Sequence, residues 1–192
     1  MKSFKIIVYV EGASDKLAME ALLYSLLDQL REKGISVEFI PTEGKKSLIL
    51  KTPIKAINIL NNHSEYYVVA YPDLYPANMG IPHSTFEELE QSLRKSFQEQ
   101  MEIKKVKDAR IESHFVIRCF KYDLEALLLA TENILLSYIG YKPPKPNWET
   151  PVEDMNQNMP PKRIVDNLFE KMGQSYKNTI DAPNILRGGI IN

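Results

Sequence analysis

The sequence predicts an α/β fold, a mainly parallel sheet flanked by helices. Three observations carry this expectation. Short runs rich in β-branched and aromatic residues recur, helix-period apolar stretches separate them, and a length of 192 residues suits one compact unit. Residues 4–10, FKIIVYV, read as a buried strand that meets a turn at Glu11-Gly12. Ser14 is placed to cap the next helix, Asp15 suits its positive end, and Leu22, Leu23, Leu26, Leu27 and Leu30 extend an apolar face towards Gly34. Residues 35–40 read as a second strand, and Pro53 as the opening of a helix with Ile54, Ile57 and Leu60 on one side. Residues 66–71, YYVVAY, make a third strand that stops at Pro72-Asp73-Leu74-Tyr75-Pro76. Strands separated by helices imply parallel pairing.

Ser84 and Thr85 begin a charged helix reaching Lys104, with Glu87 and Glu88 early and lysines late, as the helix dipole favours. Residues 115–120 read as a fourth strand, and 123–136 as an apolar helix containing Glu125. The stretch 140–161 is rich in proline and reads as a long surface loop. Pro161 then opens a last helix with Ile164, Val165, Leu168 and Phe169, and residues 187–192 show no clear structure. The expected organisation is an α/β core over 1–139 with a Pro-rich loop and helical extension, 140–192, packed on it.

Composition narrows the function. With 44% hydrophobic and 26% charged residues the chain resembles an ordinary globule, which excludes wholesale disorder. Lys and Arg number 24 against 25 Asp and Glu, so a coat of bulk positive charge on nucleic acid is excluded, and any such contact must be local or use metal ions. One cysteine, Cys119, makes no internal disulfide and no thiolate zinc cage. No window holds the ~18 uninterrupted apolar residues of a bilayer helix. A cytoplasmic protein with no membrane partner is expected.

The chemistry gathers at strand ends. In an open parallel sheet, functional groups collect where strands deliver the chain to their carboxyl edge. Glu11 follows the first strand and Asp73 the third. If those strands are neighbours, spaced about 4.8 Å apart, the two carboxylates converge. Their repulsion calls for a proton or a cation, and Mg²⁺ is a hard ion suited to oxygen ligands and phosphate substrates.

Residues Val10-Glu11-Gly12-Ala13-Ser14-Asp15 resemble the opening motif of TOPRIM domains, the fold of topoisomerases, primases and OLD-type nucleases. The whole chain is similar to a family of TOPRIM-like microbial proteins through three further landmarks. These are Asp73-Leu74-Tyr75, Asp123-Leu124-Glu125-Ala126-Leu127-Leu128, and Pro160-Pro161-Lys162-Arg163-Ile164. The resemblance implies a Rossmann-like TOPRIM fold and metal-dependent phosphodiester cleavage with Mg²⁺ or Mn²⁺. Glu11 would move a proton or ligate, Asp73 would hold the metal, and Asp15 and Glu125 would complete the acidic cluster. Lys162 or Arg163 would neutralise the scissile phosphate. One departure is Tyr75, which stands where TOPRIM enzymes carry the second Asp of Asp-x-Asp. The resemblance also implies a non-catalytic alternative, an effector or adaptor acting with a partner ATPase, and Tyr75 favours it. Nucleic acid is the partner implied by the first reading.

Plainer readings stand beside these. Asp15 serves the helix dipole equally well, Asp73 can cap a turn, and Glu125 can be the solvated residue of an amphipathic helix. Lys162 and Arg163 oppose their own helix dipole, a local conflict that hints at a nearby anion. The lysines at 45, 46, 51 and 55 and the cluster Lys104, Lys105, Lys107 and Arg110 read mainly as solvated charge. Gly44-Lys45-Lys46-Ser47 echoes the end of a phosphate-binding loop but lacks the preceding Gly, so ATP hydrolysis is not expected. His63, His83 and His114 lack paired metal spacing and receive no role. The first βα turn has no dinucleotide fingerprint.

Overall fold

A computed structural model describes residues 3–75, 77, 80–121, 124–142, 144, 146–148, 151–152 and 159–188. Four strands, β1 (Phe4–Val10), β2 (Ile35–Pro41), β3 (Tyr66–Tyr71) and β4 (Phe115–Ile117), form one sheet in the order β2-β1-β3-β4. Every pairing is parallel. The expected α/β class is therefore the observed one. Because the chain leaves β1 towards β2 on one side and reaches β3 on the other, the order reverses between β1 and β3. That boundary is the crevice where such sheets place functional groups.

Among the described residues the helices are α1 (Ala13–Leu22), α2 (Tyr24–Glu32), α3 (Lys45–Asn62), α4 (Phe86–Ile103), α5 (Ala109–His114), α6 (Glu125–Ala130), α7 (Glu132–Tyr138), α8 (Pro161–Lys171) and α9 (Asp181–Gly188). None is long and apolar enough to cross a membrane. One face of the sheet, with Ile7, Tyr9, Val68, Ala70, Phe115 and Ile117, packs against α3, α4 and α5. The opposite face, with Val8, Val10 and Phe39, packs against Met19 and partly buried leucines of α1 and α2. A further apolar cluster joins α6, α7, α8 and α9 to Ala18 of α1, with Trp148 and Val152 of the Pro-rich stretch packed on it.

Several boundaries depart from the sequence expectation. The first helix divides at Leu23 into α1 and α2, and the helix after β4 divides at Thr131 into α6 and α7. Gly12, not Ser14, is the N-cap of α1. Pro53 does not open α3; the helix starts at Lys45 and carries Pro53 inside, buried as are Leu48, Ile49, Ala56 and Ile57. An interior proline removes one helix N–H and crowds the carbonyl four residues back, yet tertiary burial outweighs that local cost. Helix α9 runs to residue 188, into the ending for which the sequence shows no clear structure, and Asp123 and residues 189–192 lie outside the described residues.

Candidate active site at the carboxyl edge of the sheet

The register pairs Val10 of β1 with Tyr71 of β3, so the next residues, Glu11 and the Pro72-Asp73 turn, leave the sheet side by side. Asp73 forms a parallel bridge with Phe120, and Leu74 N–H donates to the Phe120 carbonyl at 2.7 Å, which extends the β3–β4 pairing past the strand ends. The Asp73 backbone N–H donates to Glu11 Oε1 at 2.9 Å. The Glu11 carboxylate is thereby tied to the backbone of Asp73.

A third group enters from the β2–α3 turn. Gly44 N–H donates to the Glu11 carbonyl at 3.0 Å, and Thr42 N–H and Oγ1 both donate to the Val10 carbonyl, at 2.9 and 3.1 Å. Gly44 has φ 87 and ψ 175, a region open essentially to glycine alone. This turn delivers Lys45, the first residue of α3, into the site. Lys45 is 3% exposed, and its Nζ donates to the Leu74 carbonyl at 2.7 Å. Its ammonium acts electrostatically on both Glu11 and Asp73. The cation that the acid pair requires is thus supplied in part by the chain itself. Sequence patterning reads Lys45 as solvated charge, and the Gly44-Lys45 echo of a phosphate-binding loop is the signal that points the other way.

The ionisation states follow from burial. Burial raises the Glu11 carboxyl above its ordinary value, against the opposing effects of the Asp73 N–H and the Lys45 ammonium; the Asp15 carboxylate raises it further. Burial also raises Asp15, although its Oδ2 accepts from the Gly12 N–H at 2.7 Å. Burial lowers Lys45, while Glu11 and Asp73 pull it back up. Each charge is therefore costly alone and tolerable in company.

His83, given no role from sequence, is 2% exposed and braces the same loop. Its Nδ1 lies 2.8 Å from the Ile81 carbonyl and its Nε2 lies 3.2 Å from the Leu74 carbonyl. The Leu74 carbonyl thus faces both Lys45 and His83, fixing the turn after Asp73. Tyr75, two residues after Asp73, is partly buried and packs against the apolar cluster of the α3 face.

The other expected site residues have different surroundings. Asp15 stays close to Glu11 through the first turn of α1. Glu125 is 4% exposed at the start of α6 and accepts from Tyr176 Oη at 3.0 Å, among the helices of the C-terminal cluster. Lys162 and Arg163 are exposed in the first turn of α8. Among the described residues no group of three or more His, Cys, Asp or Glu is gathered so that it could hold a metal. Glu11 with Asp73 or Asp15 would offer one or two hard carboxylate donors, the number a magnesium-type ion uses while keeping its waters, and not a closed all-protein cage.

Residues 10–188 match the profile of a protein family described as a domain of unknown function, DUF4276. The chain belongs to the DUF4276 family. No curated protein matches it. Among solved structures, this DUF4276 chain is similar to the C-terminal region of the Burkholderia pseudomallei OLD protein, with 17% identity and a TM-score of 0.46 over 98% of this chain and 88% of that one. It is also similar to the C-terminal region of the Xanthomonas campestris pv. campestris OLD protein, with 14% identity and a TM-score of 0.40 over 96% and 85%.

Proposed function

We propose that this DUF4276 chain is a TOPRIM-like protein that binds Mg²⁺ or Mn²⁺ at Glu11 and Asp73, with Asp15 beside them, and cleaves a nucleic-acid phosphodiester. The observation that carries the proposal is the Glu11–Asp73 hydrogen bond at the reversal of strand order, with a buried lysine against the pair. A bound divalent cation would polarise a phosphoryl oxygen and acidify a water at that edge. Glu11, whose carboxyl burial raises above its ordinary value, is the group suited to accept and return a proton. Lys45 is better placed than the exposed Lys162 or Arg163 to meet a phosphate oxygen, because burial beside the acids strengthens its field.

A second reading keeps the fold as an adaptor for a partner ATPase. Two observations favour it: Tyr75 packs where a second acid would stand, and Lys45 already offsets the charge of the acid pair. Calorimetric titration with Mn²⁺ and Mg²⁺, followed by incubation with plasmid, single-stranded DNA and RNA, separates the two. The nuclease reading expects saturable binding that weakens at least tenfold in Asp73→Asn. It also expects cleavage that falls roughly a hundredfold or more in a folded Glu11→Gln variant, the size of a general acid–base contribution. Absence of metal binding, or undiminished cutting by Glu11→Gln, overturns it in favour of the adaptor.

A further inference from the structure

Strand β2 is an edge of the sheet: it pairs with β1 on one side and with no described strand on the other. Its hydrogen-bonding phase is fixed at both ends. Phe4 N–H donates to the Gly34 carbonyl at 3.1 Å and Thr42 N–H to the Val10 carbonyl at 2.9 Å, so the even-numbered residues of β2 turn their backbone groups towards β1. Ile35, Val37 and Phe39 therefore direct their N–H and C=O groups away from the sheet, where no hydrogen bond among the described residues reaches them. Pro41, which has no N–H, ends this row. Natural edges of this kind are guarded by charge or by a covering element, because they are templates for another strand. Here the one charged residue of β2, Glu38, is engaged by Lys5 at 2.6 Å on the α3 face, and no charge guards the row.

The same three residues line a groove. A cavity of about 280 Å³ lies between Ile35, Val37 and Phe39 and the helices above them, where Tyr24 and Leu27 supply the facing wall. Glu20, Asp28 and Arg31 form the polar part of its lining. Asp28 holds Arg31 at 2.8 Å, whereas the ion pair of Glu20 with Lys16 is 3.8 Å long, beyond hydrogen-bond distance. Two carboxylates against one guanidinium leave the lining negative, with Glu20 the acid able to accept another donor.

We propose that the outer edge of β2 docks an extended segment of a partner protein, which adds to the sheet as a further strand, sets apolar side chains at alternate positions into the groove, and brings a Lys or Arg to Glu20. The occupant follows from the chemistry of the edge. A row of N–H and C=O groups at strand spacing is matched by a polypeptide backbone, the alternation of a strand delivers every second side chain to the groove, and the negative lining selects a cation. The paired span, Ile35 to Phe39, is about 17 Å long. A second copy of the chain fits less well. Two-fold pairing of β2 with itself keeps both α1–α2 layers on one side of the joined sheet, and a helix about 10 Å across does not enter a cavity of this size. The docking is independent of the phosphodiester reading of the Glu11–Asp73 edge.

Amide hydrogen exchange of the free chain, read by NMR, tests the edge itself. The Val37 N–H should exchange roughly tenfold or more faster than those of Ser36 and Glu38, which are bonded to β1. Protection of Val37 overturns the inference: in favour of a second copy if dilution removes the protection, and of cover by the chain's own residues if it does not. A phage-displayed library of random peptides about ten residues long, selected on the full chain, supplies the probe, which is then synthesised with a fluorescent label and titrated by anisotropy. The selected sequences should alternate apolar residues and carry a Lys or Arg. Methylating the backbone nitrogens of one alternate set of peptide residues should weaken binding roughly tenfold or more, and methylating the other set should not, because only one set bonds to the edge. Val37→Pro removes the matching donor from the protein at a position where an edge strand tolerates proline, and should weaken binding by a similar factor. Glu20→Gln should lower affinity severalfold and flatten its salt dependence. A selection that returns no binder, sequences without alternation, indifference to which set is methylated, or a folded Val37→Pro that binds like the parent overturns the docking. The methylated peptides keep the test decisive if Val37→Pro does not fold.

Discussion

Glu11 carries a carboxyl whose protonation the fold itself opposes losing. Burial raises it above its ordinary value of 4.5, so between that value and the folded one the native state holds more protons than the unfolded chain. Stability contributed by this group therefore falls as pH rises through that window and stays lower at neutrality. Glu11→Gln keeps an oxygen to accept from the Asp73 N–H but removes the charge. In metal-free buffer its melting temperature should exceed that of the parent at pH 7, and the gain should fade towards pH 4. Thermal melts across that range check it, and a parent that outmelts the variant at pH 7 would show that Lys45 and the Asp73 N–H dominate burial. Lys45→Met should do the reverse. It leaves the Leu74 carbonyl without its ammonium donor and the acids without their neighbouring cation, at a cost of about 3 kcal/mol in urea denaturation at pH 7. The cost should shrink at acid pH, where Glu11 is protonated.

The elements show how such a cation reaches a buried site. The turn between β2 and α3 is tied to β1 through Thr42 and Gly44, and the backbone of Gly44 stands at φ 87, ψ 175. A Cβ there would touch nothing within 4 Å, so Gly44→Ala acts through backbone strain alone. The expected loss is about 1–3 kcal/mol of stability, together with weaker Mn²⁺ binding because Lys45 and Glu11 shift with the turn. Chemical denaturation and calorimetry measure the two parts. An unchanged midpoint would mean that the turn relaxes without cost. Helix α4 illustrates the legible kind of boundary: Thr85 Oγ1 accepts from the Glu88 N–H at 3.2 Å, and Glu88 Oε2 accepts from the Ser84 N–H at 2.6 Å. The capping residue and its acidic complement sit together in sequence, so this start is readable. The start of α3 is not, because Pro53 imitates a helix opener while the real start depends on hydrogen bonds to β1.

Across the molecule, the sheet and the C-terminal helices rest on separate apolar clusters. Phe169 is 2% exposed in the second of these, 5.2 Å from the ring of Tyr176 that holds Glu125. Phe169→Ala should cost about 3–5 kcal/mol, as for other buried aromatic truncations. It should leave the Mn²⁺ affinity of the folded protein within about twofold, because the sheet and its turns hold Glu11 and Asp73. A large loss of metal affinity in the folded variant would place the C-terminal helices inside the site. The same cluster explains where Glu125 lies. Its helix docks against α8 and α9; Ala182, Ile185 and Leu186 of α9 follow helical spacing, but that spacing does not say which helices they meet.

Local patterning suffices for the βα alternation, the parallel sheet and the positions of Glu11 and Asp73 at strand ends. Apolar runs of strand length and the residues that break them lie close together in the chain, and parallel strands place their exits on one edge. Packing across the fold settles the rest: that β1 and β3 are neighbours, that Lys45 turns inward between two acids, and that Glu125 pairs with Tyr176. Each of these depends on meetings between residues distant in the chain, where burial sets the cost of a charge or an exposed ring, and no local pattern encodes that cost.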